Sequence, residues 1–375
     1  MLGIAGGTLA VMAPTVVGAL GLTDRVVGAW LPPGMSLRVG KADLAWWSPV
    51  RLHDVSFRMQ DESLDVQVAE IAASATLAEL ALRPMKFGTV RLESPKIMAK
   101  VSPPTEPEGS AADSTPAAEP APSWLQAIPV SLRGTLEAVG GSLQVEDGLG
   151  GTWSLVDVEG KIDVGPDAER LLAGHLAGAM ADSNHASVKG DLTLRRDGVA
   201  DGSVAATQFP LGMINPILAW RQDESRLAGL LTGQADFHAD QQQLEMKTTG
   251  QVTQFVLASP FLEPDRLSLR SIESAMKFTV SESVVRIEQG EVRCDAGQAR
   301  ASGTIDLTKM DDPAAQNLSL QGEIDLPTLA ARLPHLVRIR QDVSIEAGLL
   351  SVQVTPVAGS AGRWDATTEV SDFRA

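Results

Sequence analysis

The chain has 375 residues, is 44% apolar, and carries a formal net charge of −16 with seven tryptophans, eight phenylalanines, no tyrosine and one cysteine. That length admits two domains or one long sheet-built one. The acidic balance, with no Lys/Arg run, lacks the basic face that nucleic-acid binding needs. The single cysteine, Cys294, excludes an intramolecular disulfide and a cysteine-based zinc site; with no base near it in sequence, it reads as a small strand residue rather than a nucleophile. Few aromatics mean that Val, Leu, Ile and Ala must fill any core.

In chain order, residues 1–23 carry no charged side chain, the first charges being Asp24 and Arg25. A helix over Leu2–Leu22 would span about 30 Å, enough to cross a bilayer core. Its Gly and Pro residues are better tolerated in membrane helices than in soluble ones. The preferred reading is a retained transmembrane anchor. The rivals are a cleaved signal peptide ending near Val17-Gly18-Ala19 and a buried soluble helix. Trp30, Trp46 and Trp47 follow closely, and tryptophan favours the membrane–water interface; they are candidates for that role or for plugging the end of a β-core.

Residues 24–101 read as one β module. Val50 and Leu52, then Val55, Phe57 and Met59, alternate with polar residues, the mark of a half-buried strand. The slip at His53–Asp54 reads as a β-bulge. Leu64, Val66 and Val68 make the next strand. Thr76–Leu82 reads as a short helix with a Thr cap, stopped by Pro84. Val90 and Leu92, then Ile97, Ala99 and Val101, make further strands broken at Ser94–Pro95, all compatible with antiparallel pairing. Residues 102–123 form a Pro/Ala/acidic linker with no basic and no large apolar residue. It is expected to be disordered and solvent-exposed, an insertion in a loop between strands.

Residues 124–375 are nearly all strand pattern. Arg196-Asp197-Gly198 carries a hairpin signal, and Met276, Phe278 and Val280 belong to the cleanest alternation. A loose recurrence links Thr207–Trp220 with Glu323–Leu336: a strand ending in an apolar–Pro pair, then a short apolar helix with a second Pro. Thr76–Pro84 is a looser version. Stacked units of this kind suggest an elongated sheet.

The anchor, the strand pair in GKADLAWWSPVRLHDVSF, the helix begun by Thr76-Leu77-Ala78-Glu79-Leu80 and the segment Gly88–Ile97 (GTVRLESPKI) together resemble the N-terminal module of AsmA-like envelope proteins, the group that includes TamB and YhdP. The resemblance is strongest over residues 1–101. It implies an inner-membrane anchor with a periplasmic body. It also implies a long, twisted antiparallel sheet curled into an open groove with an apolar concave face, phospholipid as ligand, and a role in outer-membrane biogenesis. The family has no catalytic residues. On this expectation Val55, Phe57, Val66, Val90, Leu92, Met276, Phe278 and Val280 are groove candidates. The alternative is an envelope scaffold that pairs with partners through open sheet edges.

No enzymatic constellation stands against this reading. His53, His175, His185, His238 and His335 show no H-x-x-x-H or H-E-x-x-H spacing, and there is no nucleophile elbow, P-loop or dinucleotide fingerprint. His175 and His185 flank Asp182 and read as a polar turn rather than a metal site. Asp61–Glu62 and Asp311–Asp312 read as solvated turn charges. No cofactor and no metal are expected.

Overall fold

The structure is a computed structural model. It describes residues 35–59, 61, 63–83, 85–100, 131–146, 152–181, 185–215, 218, 225–309, 316–337, 344–357 and 363–374. The predicted anchor, Trp30 and the 102–123 linker lie outside the described residues, as do Pro84, Glu62, Asp182, Asp311 and Asp312. The protein is mainly β, and its chain divides into two compact units, Met1–Gly198 and Val199–Ala375.

The first unit contains β1 (Met35–Asp43), β2 (Pro49–Met59), β3 (Leu64–Thr76), helix α1 (Leu77–Leu82), β4 (Lys86–Glu93), β5 (Lys96–Lys100), β6 (Arg133–Glu146), β7 (Thr152–Val164), β8 (Arg170–Met180) and β9 (Ser187–Arg195). β1, β2 and β3 pair antiparallel in order. β4 and β5 lie end to end along β3, antiparallel to it. Both then pair with β6 in parallel, and β6 to β9 continue antiparallel. The all-antiparallel expectation is therefore corrected at one step. A parallel pair cannot be joined by a hairpin, because the chain must return along the strand before re-entering the sheet. From Lys100 back to Arg133 that return is about 45 Å at ~3.3 Å per residue. Lys100 ends and Arg133 begins strands that are parallel neighbours, and residues 101–130 between them lie outside the described residues.

The slip at His53–Asp54 also has a different basis from the one expected. No extra residue enters the register: Val39 faces Val55 and Lys41 faces His53, while Val55 faces Val68 and His53 faces Glu70. Instead Asp54 sits at φ 52, and Ser94, Gly140 and Asp157 are also left-handed, at φ 49, 62 and 50, where their strands pass the same level. β3 has no such residue, so its alternation is unbroken and serves as the ruler. Val66 and Val68 point to one face, Ile71, Ala73 and Ala75 to the other. The apolar side of the sheet changes across this line. α1 follows on the far side of it, held by a capping box: Glu79 N–H donates to Thr76 Oγ1 (3.2 Å) and Thr76 N–H donates to the Glu79 carboxylate (2.9 Å).

The second unit contains β10 (Ala200–Pro210), β11 (Arg226–Ala239), β12 (Gln243–Ala258), β13 (Leu267–Ser281), β14 (Val284–Cys294), β15 (Gly297–Asp306), β16 (Asn317–Asp325), helix α2 (Leu326–Arg332), β17 (Ala347–Pro356) and β18 (Trp364–Arg374). Every sequential neighbour pairs antiparallel. Even-numbered strands from β10 to β16 therefore finish at the same end. There the chain makes a 3-10 turn at Leu211–Ile214 after β10, another at Pro260–Leu262 after β12, and α2 after β16. The first and last are the two halves of the recurrence seen in the sequence. Pro327 lies in the first turn of α2, where its missing N–H costs nothing. The middle one is a third member.

A left-handed line also crosses this unit near that end, at Gln208 (φ 49), Gly229 (φ 133) and Gln254 (φ 55). Beyond it Leu227, Leu257 and Leu267 share a rung, and Phe255 faces Leu269, on the face opposite to Ile272. Among the described residues of the unit, the buried apolar side chains, Leu211, Leu262, Leu269 and Leu333, lie at this helical end. Asp265 ties it together, accepting from His335 N (2.9 Å), Leu336 N (2.8 Å) and the His335 ring (2.7 Å).

Candidate functional site

Below the left-handed line, the register of the second unit sorts its residues almost completely by polarity. β13 has no left-handed residue and fixes the faces. On one face Leu244, Val280, Val285 and Ile305 form a rung. Phe237, Met246, Phe278 and Ile287 form the next. Met276, Gly290, Ala301, Leu320 and Val354 follow. Val252, Ile272, Cys294, Ile324 and Leu350 close the set at the line. No charged residue stands on this face among these rungs.

The other face is as uniformly polar. His238, Glu245, Thr279, Arg286 and Thr304 share one rung, and Gln251, Glu273, Arg293, Gln298 and Glu323 another. Glu291 accepts from Arg293 (2.7 Å) and Arg300 (3.3 Å), and those bonds, the Arg293 one foremost, hold its carboxyl below the usual range. Lys277 pairs with Glu288, which raises its ammonium pKa.

The apolar face is not covered like a core. Met276 and Leu320 are each 38% exposed and Val370, at the edge, 52%. Along β15 the face is made of Gly297, Ala299, Ala301 and Gly303 before Ile305, beside larger side chains such as Ile287 and Val292 on β14 and Leu318, Leu320 and Ile324 on β16. That leaves a furrow running with the strand, with neighbouring strands about 4.8 Å away on either side. Two depressions of about 300 and 240 Å³ lie instead on the polar face, lined by residues such as Gln298, Arg300, Gln321 and Glu323. A third, larger depression of about 620 Å³ lies at the helical end, lined by Ala258, Ser259, Pro260, Glu263, Pro264, Asp265 and Arg266.

The sequence-derived candidates separate accordingly. Met276, Phe278 and Val280 stand together on the open face. Val55, Phe57 and Val66 share a face of the first unit, Phe57 opposite Val66, but Val55 is only 5% exposed. Val90 faces Ala73 and Leu92 faces Ile71, so both belong to the opposite face from Val66. These five do not form one surface. Trp47 is 81% exposed, while the Trp46 carbonyl accepts from Ala78 N (3.0 Å) at the start of α1.

Among the described residues no three His, Cys, Asp or Glu side chains gather as a metal site, and no helix is long and apolar enough to cross a membrane. His175 is a strand residue rather than a turn one, its Nδ1 2.8 Å from Asp191 on β9. Cys294 is half-buried in its apolar rung. Sequence reading missed the Asp265–His335 tie and the third helical turn. Their local signal was the segment SPFLEPD, two prolines around an apolar pair between long strands. Comparisons with family models, with curated proteins and with solved structures returned no match.

Proposed function

We propose that this is a non-enzymatic, membrane-anchored periplasmic protein that binds or conducts phospholipid on its apolar β-face, in cell-envelope and outer-membrane biogenesis. One observation carries the reading. The second unit presents successive rungs without a charge on one face, yet among the described residues its buried apolar side chains lie elsewhere, at the helical end. A face that served as a core would be the best-buried part of the unit. Apolar surface left accessible in this quantity marks an interaction site, and acyl chains fit it without any specific polar contact, each buried CH₂ contributing about 0.8 kcal/mol.

The test is the full chain, purified in mild detergent, with bound phospholipid measured by mass spectrometry against a detergent-matched control. Wild type retains phospholipid, and Met276→Asp or Phe278→Asp loses most of it while circular dichroism stays unchanged. A folded wild type free of lipid overturns the proposal. That outcome would leave the scaffold reading, which one feature favours: β18 pairs only with β17 among the described strands, and exposes Val370 and Phe373 at 52% and 54%.

A further inference from the structure

The apolar face ends differently at its two margins. At the margin away from the helical turns, the residues that follow the last apolar rung include the acidic Asp240 after β11, Glu282 after β13 and Asp306 at the end of β15, the last of them paired with Lys309 (3.5 Å). At the other margin, past the rung of Val252 and Ile272, the same face turns basic. Arg270 lies two residues before Ile272 on β13, so alternation keeps it on the same face. Ser268 faces Val256, and Arg226 faces Ala258 two residues further along β12, which places Arg226 on that face as well. Arg266 immediately precedes β13.

These side chains are open to solvent. Arg226 and Arg266 are exposed, and the Arg270 side chain is 90% exposed. The Arg226 guanidinium donates to the Ser225 carbonyl (3.0 Å). Arg270 Nε lies 4.0 Å from Asp295, a carboxylate already bound by Arg332. Among the described residues no ion pair engages Arg226 or Arg266. In a chain of net charge −16, these three arginines stand at one margin of an uncharged apolar face; of the acidic residues beside them, Asp265 is bound to His335, Asp295 is bound by Arg332 and Glu263 is exposed, and the arginines give the face an amphipathic direction.

We infer that this face holds a two-tailed phospholipid along the strands, with its phosphate at Arg226, Arg266 and Arg270 and its acyl chains over the rungs from Ile272 to Val280. The inference rests on the lipid-binding reading above and adds the ligand's polar half and its orientation. There is room for the tails: the eight residue steps from Ile272 to Val280 cover about 26 Å at ~3.3 Å per residue, more than the roughly 15 Å that one acyl tail spans as half of the ~30 Å bilayer core. The chemistry agrees too. Guanidinium groups match phosphate oxygens in bidentate geometry, and the acidic opposite margin repels the same headgroup. A lipid lying the other way would place its phosphate beside Asp240, Glu282 and Asp306.

The test uses the full chain in neutral detergent, incubated with phosphatidylglycerol or with diacylglycerol of the same acyl chains, bound lipid being quantified by mass spectrometry. Wild type retains the phospholipid at least ten-fold over the diacylglycerol. The triple variant Arg226→Gln, Arg266→Gln, Arg270→Gln loses that preference but keeps the diacylglycerol it bound before, whereas Lys247→Gln with Arg286→Gln on the polar face changes neither. Circular dichroism and a urea midpoint confirm that each variant is folded. An unchanged preference in the triple variant overturns the basic-margin inference and leaves lipid binding standing. Wild type that binds neither lipid overturns both. Release of the phospholipid by millimolar glycerol phosphate would show a site for soluble phosphate and would also overturn the inference.

Discussion

The two ends of the second unit use similar residues to opposite purposes. At the helical end Leu262, Leu269 and Leu333 are exposed by only 7%, 6% and 4%, under a cap fastened by Asp265. Across the left-handed line Met276 and Leu320, in the same strand system, keep 38% of their surface. Both regions contain strand stretches with alternating apolar residues, such as Leu267 and Leu269 at one end and Met276 and Phe278 at the other, so the pattern does not distinguish them. What differs is the cover. At Gln254 the apolar side of the ladder changes face, and only the far side meets short helical segments. The lesson is that an apolar sheet face becomes a core only where the chain supplies a second layer; elsewhere the same pattern leaves a surface.

Truncation should break the two regions very unequally. Leu269→Ala or Leu333→Ala removes a buried side chain and leaves a cavity, costing about 2–4 kcal/mol. Met276→Ala on the open face should cost less than about 1 kcal/mol, since little apolar area leaves a packed environment. Urea unfolding of the three variants checks this. Equal losses would mean that the open face is packed after all, and would remove the ground for a lipid surface. A smaller effect is expected at the cap itself. Asp325 accepts from Thr328 N (2.8 Å) at the N-terminus of α2, and Asp325→Ala should cost about 1 kcal/mol, seen as a lower urea midpoint with no change in bound lipid.

The contrast between the ends was half legible in the sequence. The strands announce themselves by period two, and α1 by its Thr cap, because both signals are local. Residue alternation also revealed the slip at His53–Asp54. Its consequence was hidden, because a neighbouring strand decides whether a slip is a bulge or a change of face. Here Val55 stays opposite Val68 and His53 opposite Glu70. The parallel step at β6 was hidden for a similar reason: partner choice across the segment from Lys100 to Arg133 is non-local. Met276, Phe278 and Val280 could be grouped because they lie on one strand. Arg226 and Arg270 could not, since only the register through β12 brings them to one margin. Hydrophobicity alone groups Val90 and Leu92 with Val55, and it says nothing about face.

The subtlest distinction between the regions is in acid. Burial of Asp265 pushes its carboxyl upward, but the bonds from Leu336 N, the His335 ring and His335 N outweigh that and leave it below its ordinary value of 3.8. A carboxylate whose folded pKa is depressed adds stability that is full above the unfolded pKa and is lost as pH falls through the folded value. The tie should therefore be intact at neutral pH and fade only below about pH 4. Asp265→Asn cannot carry the charge at any pH. Its urea midpoint should lie below that of wild type at pH 6, and the gap should narrow towards pH 3, as the unfolded chain takes up a proton there more readily than the folded carboxylate does. Met276→Ala should show no such pH-dependent gap. A gap for Asp265→Asn that persists undiminished at pH 3 would mean that the carboxylate's charge is not what fastens the cap. The boundary between the covered and the open region would then rest on the apolar contacts of Leu262, Leu269 and Leu333 alone.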